Sequence, residues 1–171
     1  MVPGLSHARC TRHARVVPAA RPSPRLPPRW FIRSAWVVHR ALYSVTRGRV
    51  GLRRARADRW GTLRLRTTGR RTGAERVVIL AYLEDGPNLV LMAMNGWAEP
   101  APAWWLNLQA HPDAIVDLPG GSVREVTARE AKGDERSRLW ARWKDVEKRD
   151  LDAYATRRTS TPLIVLEPRP G

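Results

Sequence analysis

The sequence predicts a mainly β, α+β domain. About six antiparallel strands close, or nearly close, into a small barrel, with one helix before them, one short helix inserted and one late helix. Two observations carry this. Period-2 segments separated by Gly, Pro and Asn turns recur from Thr62 onward, and stretches with apolar residues at helical spacing precede and interrupt them. Laid flat, a sheet of strands this short would leave long unpaired edges, which closure removes.

A chain of 171 residues fits one domain with a single core. Over residues 1–29 prolines and arginines alternate without apolar periodicity, so this stretch reads as a disordered arm, and residues 30–171 as the folded domain. No apolar stretch of about 7 to 15 residues follows the early arginines, as a signal peptide would require, and no run of about 20 could span a bilayer. The expectation is a soluble or membrane-peripheral cytoplasmic protein. The single cysteine, Cys10, excludes an intramolecular disulfide and a cysteine metal cluster, and points to a reducing compartment.

The formal charge of +15 is unevenly spread. Residues 1–76 hold 19 arginines against Asp58 and Glu75, whereas the rest of the chain holds 12 basic and 14 acidic residues. That distribution disfavours a continuous basic groove, so no nucleic acid is expected as a partner. The competing class is a nucleic-acid-binding protein with the arginine-rich arm on phosphates and tryptophans stacking on bases.

Trp30, Ile32, Ala35, Trp36, Val38, Leu42 and Val45 recur at helical spacing, which makes 30–50 an amphipathic helix. It either caps the barrel or lies on anionic lipid at the inner face of the cell membrane, as arginines beside tryptophans allow. Strands follow over 62–68, 75–84 and 88–94, joined by the Gly69-Arg-Arg-Thr-Gly73 and Asp85-Gly86-Pro87-Asn88 turns. The stretch 100–110 is a short helix entered through prolines and closed by His111-Pro112. Strands over 114–118 and 123–131, a single charged helix starting at Asp134, and a last strand over 162–167 complete the order.

Two segments carry chemistry. The hairpin Arg66-Thr-Thr-Gly-Arg-Arg-Thr-Gly-Ala-Glu-Arg76 combines tight-turn glycines, arginines and hydroxyls, a combination that suits an oxyanion, although ordinary turn residues would look the same. The second runs from Met94 through Asn95-Gly96-Trp97 and a proline loop to Trp104-Trp105-Leu-Asn-Leu108. Adjacent tryptophans cannot share one helix face, so either both are core or one packs beside the loop or a planar ligand. The four histidines, His7, His13, His39 and His111, have no metal-ligand spacing, and no metal is expected.

Together the two segments resemble the deazaflavin-dependent nitroreductases and quinone reductases, a branch of the split-barrel flavin-binding proteins known from actinobacteria. The resemblance runs from about Trp30 to Pro168. It rests on Thr67-Thr-Gly-Arg-Arg-Thr-Gly73, Asp85-Gly86, Asn95-Gly96, Pro102-Ala-Trp104, Asn107-Leu108, His111-Pro112-Asp113 and Pro162-Leu-Ile-Val-Leu-Glu-Pro168.

It implies a split β-barrel that binds coenzyme F420 and passes a hydride to a quinone-like or nitroaromatic small-molecule acceptor. Arg70, Arg71 and Thr72 would meet the cofactor's phosphate and acidic tail, with Arg76, Val77, Val78, Ile79, Leu80 and Ala81 along its rings. Met92, Ala93, Met94 and Asn95, with Ala103, Trp104, Trp105, Leu106 and Asn107, would form the opposite wall. Tyr154 takes the place of the family's substrate-side tyrosine and is the candidate proton donor, with a packed helix tyrosine as its plain alternative. The acceptor would stack in an aromatic mouth of Trp97 and Trp104. Family members often carry Gly-Gly or Lys where this chain has Asn95-Gly96-Trp97, so Trp97 would narrow the pocket. A barrel of this kind holding FMN or haem instead is the nearer alternative, since fold does not determine ligand.

Overall fold

Alternation along Gly61–Thr68 (β1) sets the barrel. Leu63 and Leu65 are fully buried, while Arg64 and Arg66 between them point outward. The computed structural model describes residues 52–170. The expected arm over 1–29 and helix over 30–50 lie outside the described residues.

After β1 come Glu75–Asp85 (β2), Asn88–Met92 (β3), Ala103–Ala110 (α1), Asp113–Asp117 (β4), Val123–Glu130 (β5), Gly133–Val146 (α2), Leu151–Ala155 (α3) and Leu163–Pro168 (β6). The strands form a closed barrel in the order β1-β2-β3-β6-β5-β4, every neighbouring pair antiparallel. Closure is made by β1 on β4, with Arg64 opposite Asp117 and Thr67 opposite Ala114. Six strands, an inserted helix and late helices match the expected architecture.

Period-2 alternation divides the apolar residues into two cores. Leu63, Leu65, Tyr82, Leu89, Leu91, Val116, Val126, Ile164 and Leu166 fill the barrel, joined by Trp104, Trp105 and Leu108 of α1. Leu83, Val90, Met92, Leu163 and Val165 face the other way, onto Leu139 and Trp143 of α2 and Leu151 of α3. Each fully buried aliphatic side chain contributes about 1.5–3 kcal/mol. Strands β3 and β6 alternate between the two cores, which is why their sequences read as unbroken apolar runs.

Two departures from the expected elements have a structural cause. β3 stops at Met92 rather than 94, because the chain then enters a tight turn over Asn95–Trp97. The late helix is two: α2 ends at Val146, and Asp150 caps α3 by accepting from the Ala153 amide at 3.0 Å. Trp104 and Trp105 both enter the barrel core, the core reading of the pair that their sequence allowed. α1 plugs one end of the barrel and is short enough for neighbouring positions to reach the same interior.

Ion pairs fasten α2 to the barrel. Asp85, at the β2–β3 turn, takes both Nη atoms of Arg138 at 2.8 Å and Nη1 of Arg142 at 2.8 Å. The Arg138 hydrogen bonds hold its carboxyl below the usual carboxylate range, against the opposing effect of burial. A carboxyl depressed in this way stabilises the fold above its unfolded value, about 4, and the contribution is lost as pH falls through the folded value. We expect Asp85→Asn to cost roughly 1 kcal/mol at pH 7, a figure kept small by solvent screening. Urea denaturation across a pH series should show the gap to wild type closing below about pH 4.

Candidate functional site

The β1–β2 hairpin turns over residues 69–74. The Gly69 amide donates to Ala74 O at 2.8 Å and the Gly73 amide to Gly69 O at 2.8 Å. Gly73 is left-handed, with φ 70°, and a Cβ on Gly69 would meet Ala74 O at 2.9 Å. The turn presents Arg70, Arg71, Thr72 and Arg76 to solvent. Among the described residues none of these three arginines has a carboxylate partner. By contrast Arg64 and Arg66 reach Asp117, Arg129 reaches Glu135 and Glu167, and Arg138 and Arg142 reach Asp85. The hairpin tip therefore concentrates positive charge that no carboxylate among the described residues pairs with.

Asn107, 5% exposed, ties this tip to α1. Its Oδ1 accepts from the Arg70 amide and from Arg70 Nη1, each at 3.3 Å, and its Nδ2 donates to Thr67 Oγ1 at 3.3 Å. The Thr67 hydroxyl in turn donates to Arg76 O at 3.4 Å. One amide thus fixes the first residue of the turn and, through Thr67, the start of β2. The hairpin and the Trp-bearing helix, predicted to converge, meet at Asn107.

Between them runs β2. Arg76 and Val77 are exposed, Val77 to 40%, and Val78, Ile79, Leu80 and Ala81 are only part-buried although they sit mid-strand. An apolar strand left half-covered beside unneutralised arginines presents a flat apolar surface next to an anion-attracting one.

Beyond β3, Met92 and Ala93 are buried, Met94 is half-buried and Asn95 is exposed. Asn95, Gly96 and Trp97 are all left-handed, with φ 45°, 61° and 66°. For an L-residue that costs about 1–2 kcal/mol, and for a bulky tryptophan it is a true outlier. Asn95 Nδ2 supports the turn by donating to Pro100 O at 2.7 Å. Trp97 lies 6% exposed in the outer core, its ring 5.3 Å from that of half-buried Tyr154 at a 31° tilt.

The structure thus joins Trp97 to Tyr154, but not to Trp104. Trp104 belongs to the barrel core and Trp97 to the outer one, both nearly covered, so the expected shared mouth of these two rings is not formed. Local sequence could not show this, because the division follows from which side of β3 each cluster packs on. On α1, Ala103 is exposed and Leu106 half-buried, while Trp105 is buried beneath them.

Two further residues carry the site's geometry without a local signal. Thr67 reads as a strand residue until Asn107 reaches it. Arg158, in a basic pair after α3, is 8% exposed and donates to main-chain carbonyls of the 94–98 turn. Among the described residues no group of His, Cys, Asp and Glu could hold a metal ion, and no helix is long and apolar enough to cross a membrane.

A closed six-stranded antiparallel barrel with an inserted helix is the architecture of the split-barrel reductases. A solved F420-H2-dependent reductase aligns with a TM-score of 0.55 at 28% identity, over 62% of this chain and 93% of its own. A second solved structure, described as a domain-swapped dimer, aligns with a TM-score of 0.57 at 25% identity, over 79% and 99%. The family model for F420H(2)-dependent quinone reductase matches residues 36–168. An F420H(2)-dependent quinone reductase of Mycobacterium tuberculosis is 32% identical over 145 residues, covering 81% of this chain and 94% of that protein.

The chain belongs to the F420H(2)-dependent quinone reductase family and is an oxidoreductase that uses coenzyme F420. Its residues fit such a cofactor: among the described residues Arg70, Arg71 and Arg76 have no carboxylate partner, and the adjoining strand is apolar and part-open.

Asn107→Ala would remove the donor to the buried Thr67 hydroxyl and the acceptor of the part-buried Arg70 amide. A loss of about 1–3 kcal/mol is expected in chemical denaturation, with faster hydrogen exchange at the Arg70 amide.

Proposed function

We propose that this enzyme reduces a quinone-like or nitroaromatic acceptor in the trough bounded by the hairpin tip, the part-open half of β2 and the 93–98 segment. The single observation behind the reading is the trio Arg70, Arg71 and Arg76, which among the described residues have no carboxylate partners and stand where β2 is apolar and incompletely covered. When bound, reduced F420 supplies two electrons as hydride, so the protein's tasks are orientation, exclusion of water and delivery of a proton.

Arg70 is the best placed of the three to hold an anionic tail, because Asn107 fixes both its backbone and its guanidinium. Thr72 offers a hydroxyl at the same turn. Val77, Val78, Ile79, Leu80 and Ala81 provide the apolar bed for a flat ring system, and Met94, Asn95, Ala103 and Leu106 the facing edge. Ala93, Trp104 and Trp105 act from beneath, as a rigid floor, and Met92 holds the end of β3 from the outer core. Tyr154 O–H, or water, gives the reduced oxygen its proton, which with the hydride makes the two-electron, two-proton balance of quinone to hydroquinone. Trp97 sets the position of Tyr154 through their ring contact.

Purified protein titrated separately with F420 and FMN should bind F420 tightly, with menadione-dependent oxidation of the reduced form. FMN binding in place of F420, or no F420 binding, sinks the reading. Arg70→Ala and Arg71→Ala should each raise the F420 Kd about tenfold at low salt, an effect that shrinks as salt screens it, with kcat at saturation little changed.

Tyr154→Phe should lower kcat by about 10²-fold at neutral pH. Wild-type rates with every acceptor would remove Tyr154 from the chemistry.

Residues 30–50 lie outside the described residues, and binding of anionic lipid through their arginines and tryptophans is not proposed. Equal co-sedimentation with vesicles with and without anionic lipid is expected; a dependence on anionic lipid would reverse it.

A further inference from the structure

We propose that Arg158 is a positioning residue of the reaction, clamping the left-handed 95–97 turn so that Trp97 and Tyr154 form one rigid wall on the acceptor side. The inference rests on the reading above that Tyr154 faces the acceptor.

Arg158 is 8% exposed and, among the described residues, has no carboxylate partner. Its guanidinium is satisfied by main-chain oxygens instead. Nη1 donates to Met94 O at 3.0 Å and also to Ala98 O, and Nε donates to Ser160 O at 3.1 Å. Met94 and Ala98 flank the three left-handed residues on either side, so one guanidinium nitrogen bridges the two ends of the turn. The turn's own bonds are few: the Trp97 amide to Met94 O at 2.7 Å, the Ala98 amide to Asn95 O at 3.3 Å, and the Asn95 side chain to Ala98 O at 3.4 Å and Pro100 O at 2.7 Å.

A buried cation is costly to keep without a carboxylate. A left-handed tryptophan persists only where its surroundings over-determine it. Here each feature accounts for the other.

The same short segment supplies the second attachment. The Arg157 amide bonds Tyr154 O at 3.2 Å and the Arg158 amide bonds Ala155 O at 3.0 Å, so helical bonding continues past α3 and carries Tyr154 and Arg158 on one rigid piece. Tyr154 meets the Trp97 ring, Arg158 grips the carbonyls on both sides of it, and the Thr159 amide donates to Glu99 Oε1 at 2.7 Å. Three ties along six residues make the 94–99 loop and the 154–159 segment one body. A lysine in place of Arg158 keeps the charge but loses the planar fork that lets one side chain serve several carbonyls.

The test uses the full chain with Arg158→Ala and Arg158→Lys. Both are expected to lower kcat/KM for menadione at least tenfold while the F420 Kd stays within twofold of wild type. Guanidinium ion at tens of millimolar should raise the turnover of Arg158→Ala and leave wild type unchanged. In the cofactor-free protein, hydrogen exchange at the Trp97 and Ala98 amides should speed up in both variants, with Leu65 and Leu91 of the barrel unaffected.

Wild-type kcat/KM in Arg158→Lys, or unaltered exchange at Trp97, overturns the proposal, and Arg158→Lys serves if Arg158→Ala does not fold. An equal loss of F420 affinity would also overturn it, since that is general loosening. Failure of wild type itself to bind F420 would instead strike the functional reading beneath, whereas exchange at Trp97 still judges the clamp.

Discussion

Closure of the barrel through β1 and β4 is the constraint on which the site depends. Pairing Arg64–Thr67 with Ala114–Asp117 brings the far end of β1 beside the strand that α1 feeds through His111-Pro112. Only then does Asn107, on the last turns of α1, stand within hydrogen-bond reach of Thr67 and Arg70. Removing the edges by closure stabilises the sheet, and the same pairing places an otherwise remote helix under the hairpin.

The two apolar cores serve different ends. The barrel core, plugged by Trp104, Trp105 and Leu108, holds the hairpin and β2 at a defined separation. The outer core, between β3, β6 and the two late helices, anchors Trp97 and Tyr154. Strand β3 belongs to both, with Leu89 and Leu91 in one and Val90 and Met92 in the other. Strand β3 therefore links the two cores through closely packed positions with little freedom to move.

Charge is handled in two ways. Along the barrel wall and α2, arginines are matched by Asp85, Asp117, Glu135 and Glu167, which fasten elements to one another. At the hairpin tip they have no such partners among the described residues, and Arg158 is held by backbone carbonyls. The arginine-rich composition therefore does not by itself mark function; what distinguishes the tip is the missing counter-charge. That difference concerns neighbours distant in the chain, which is why the tip and an ordinary solvated turn read alike in sequence.

Much of the architecture was legible in the chain because it follows from local rules. Period-2 alternation located the strands, Gly-rich turns located the hairpins, and prolines located the start of α1. The ordered motifs from Thr67 to Pro168 pointed to the F420-dependent class. What the sequence left open was decided by packing across long separations. Both adjacent tryptophans enter one core because α1 plugs a barrel end. β3 stops at Met92 because the next turn is left-handed and held by Arg158, 64 residues beyond Met94. Local periodicity determines which residues prefer a strand, a turn or an apolar face; only the closed barrel determines which of those faces meet.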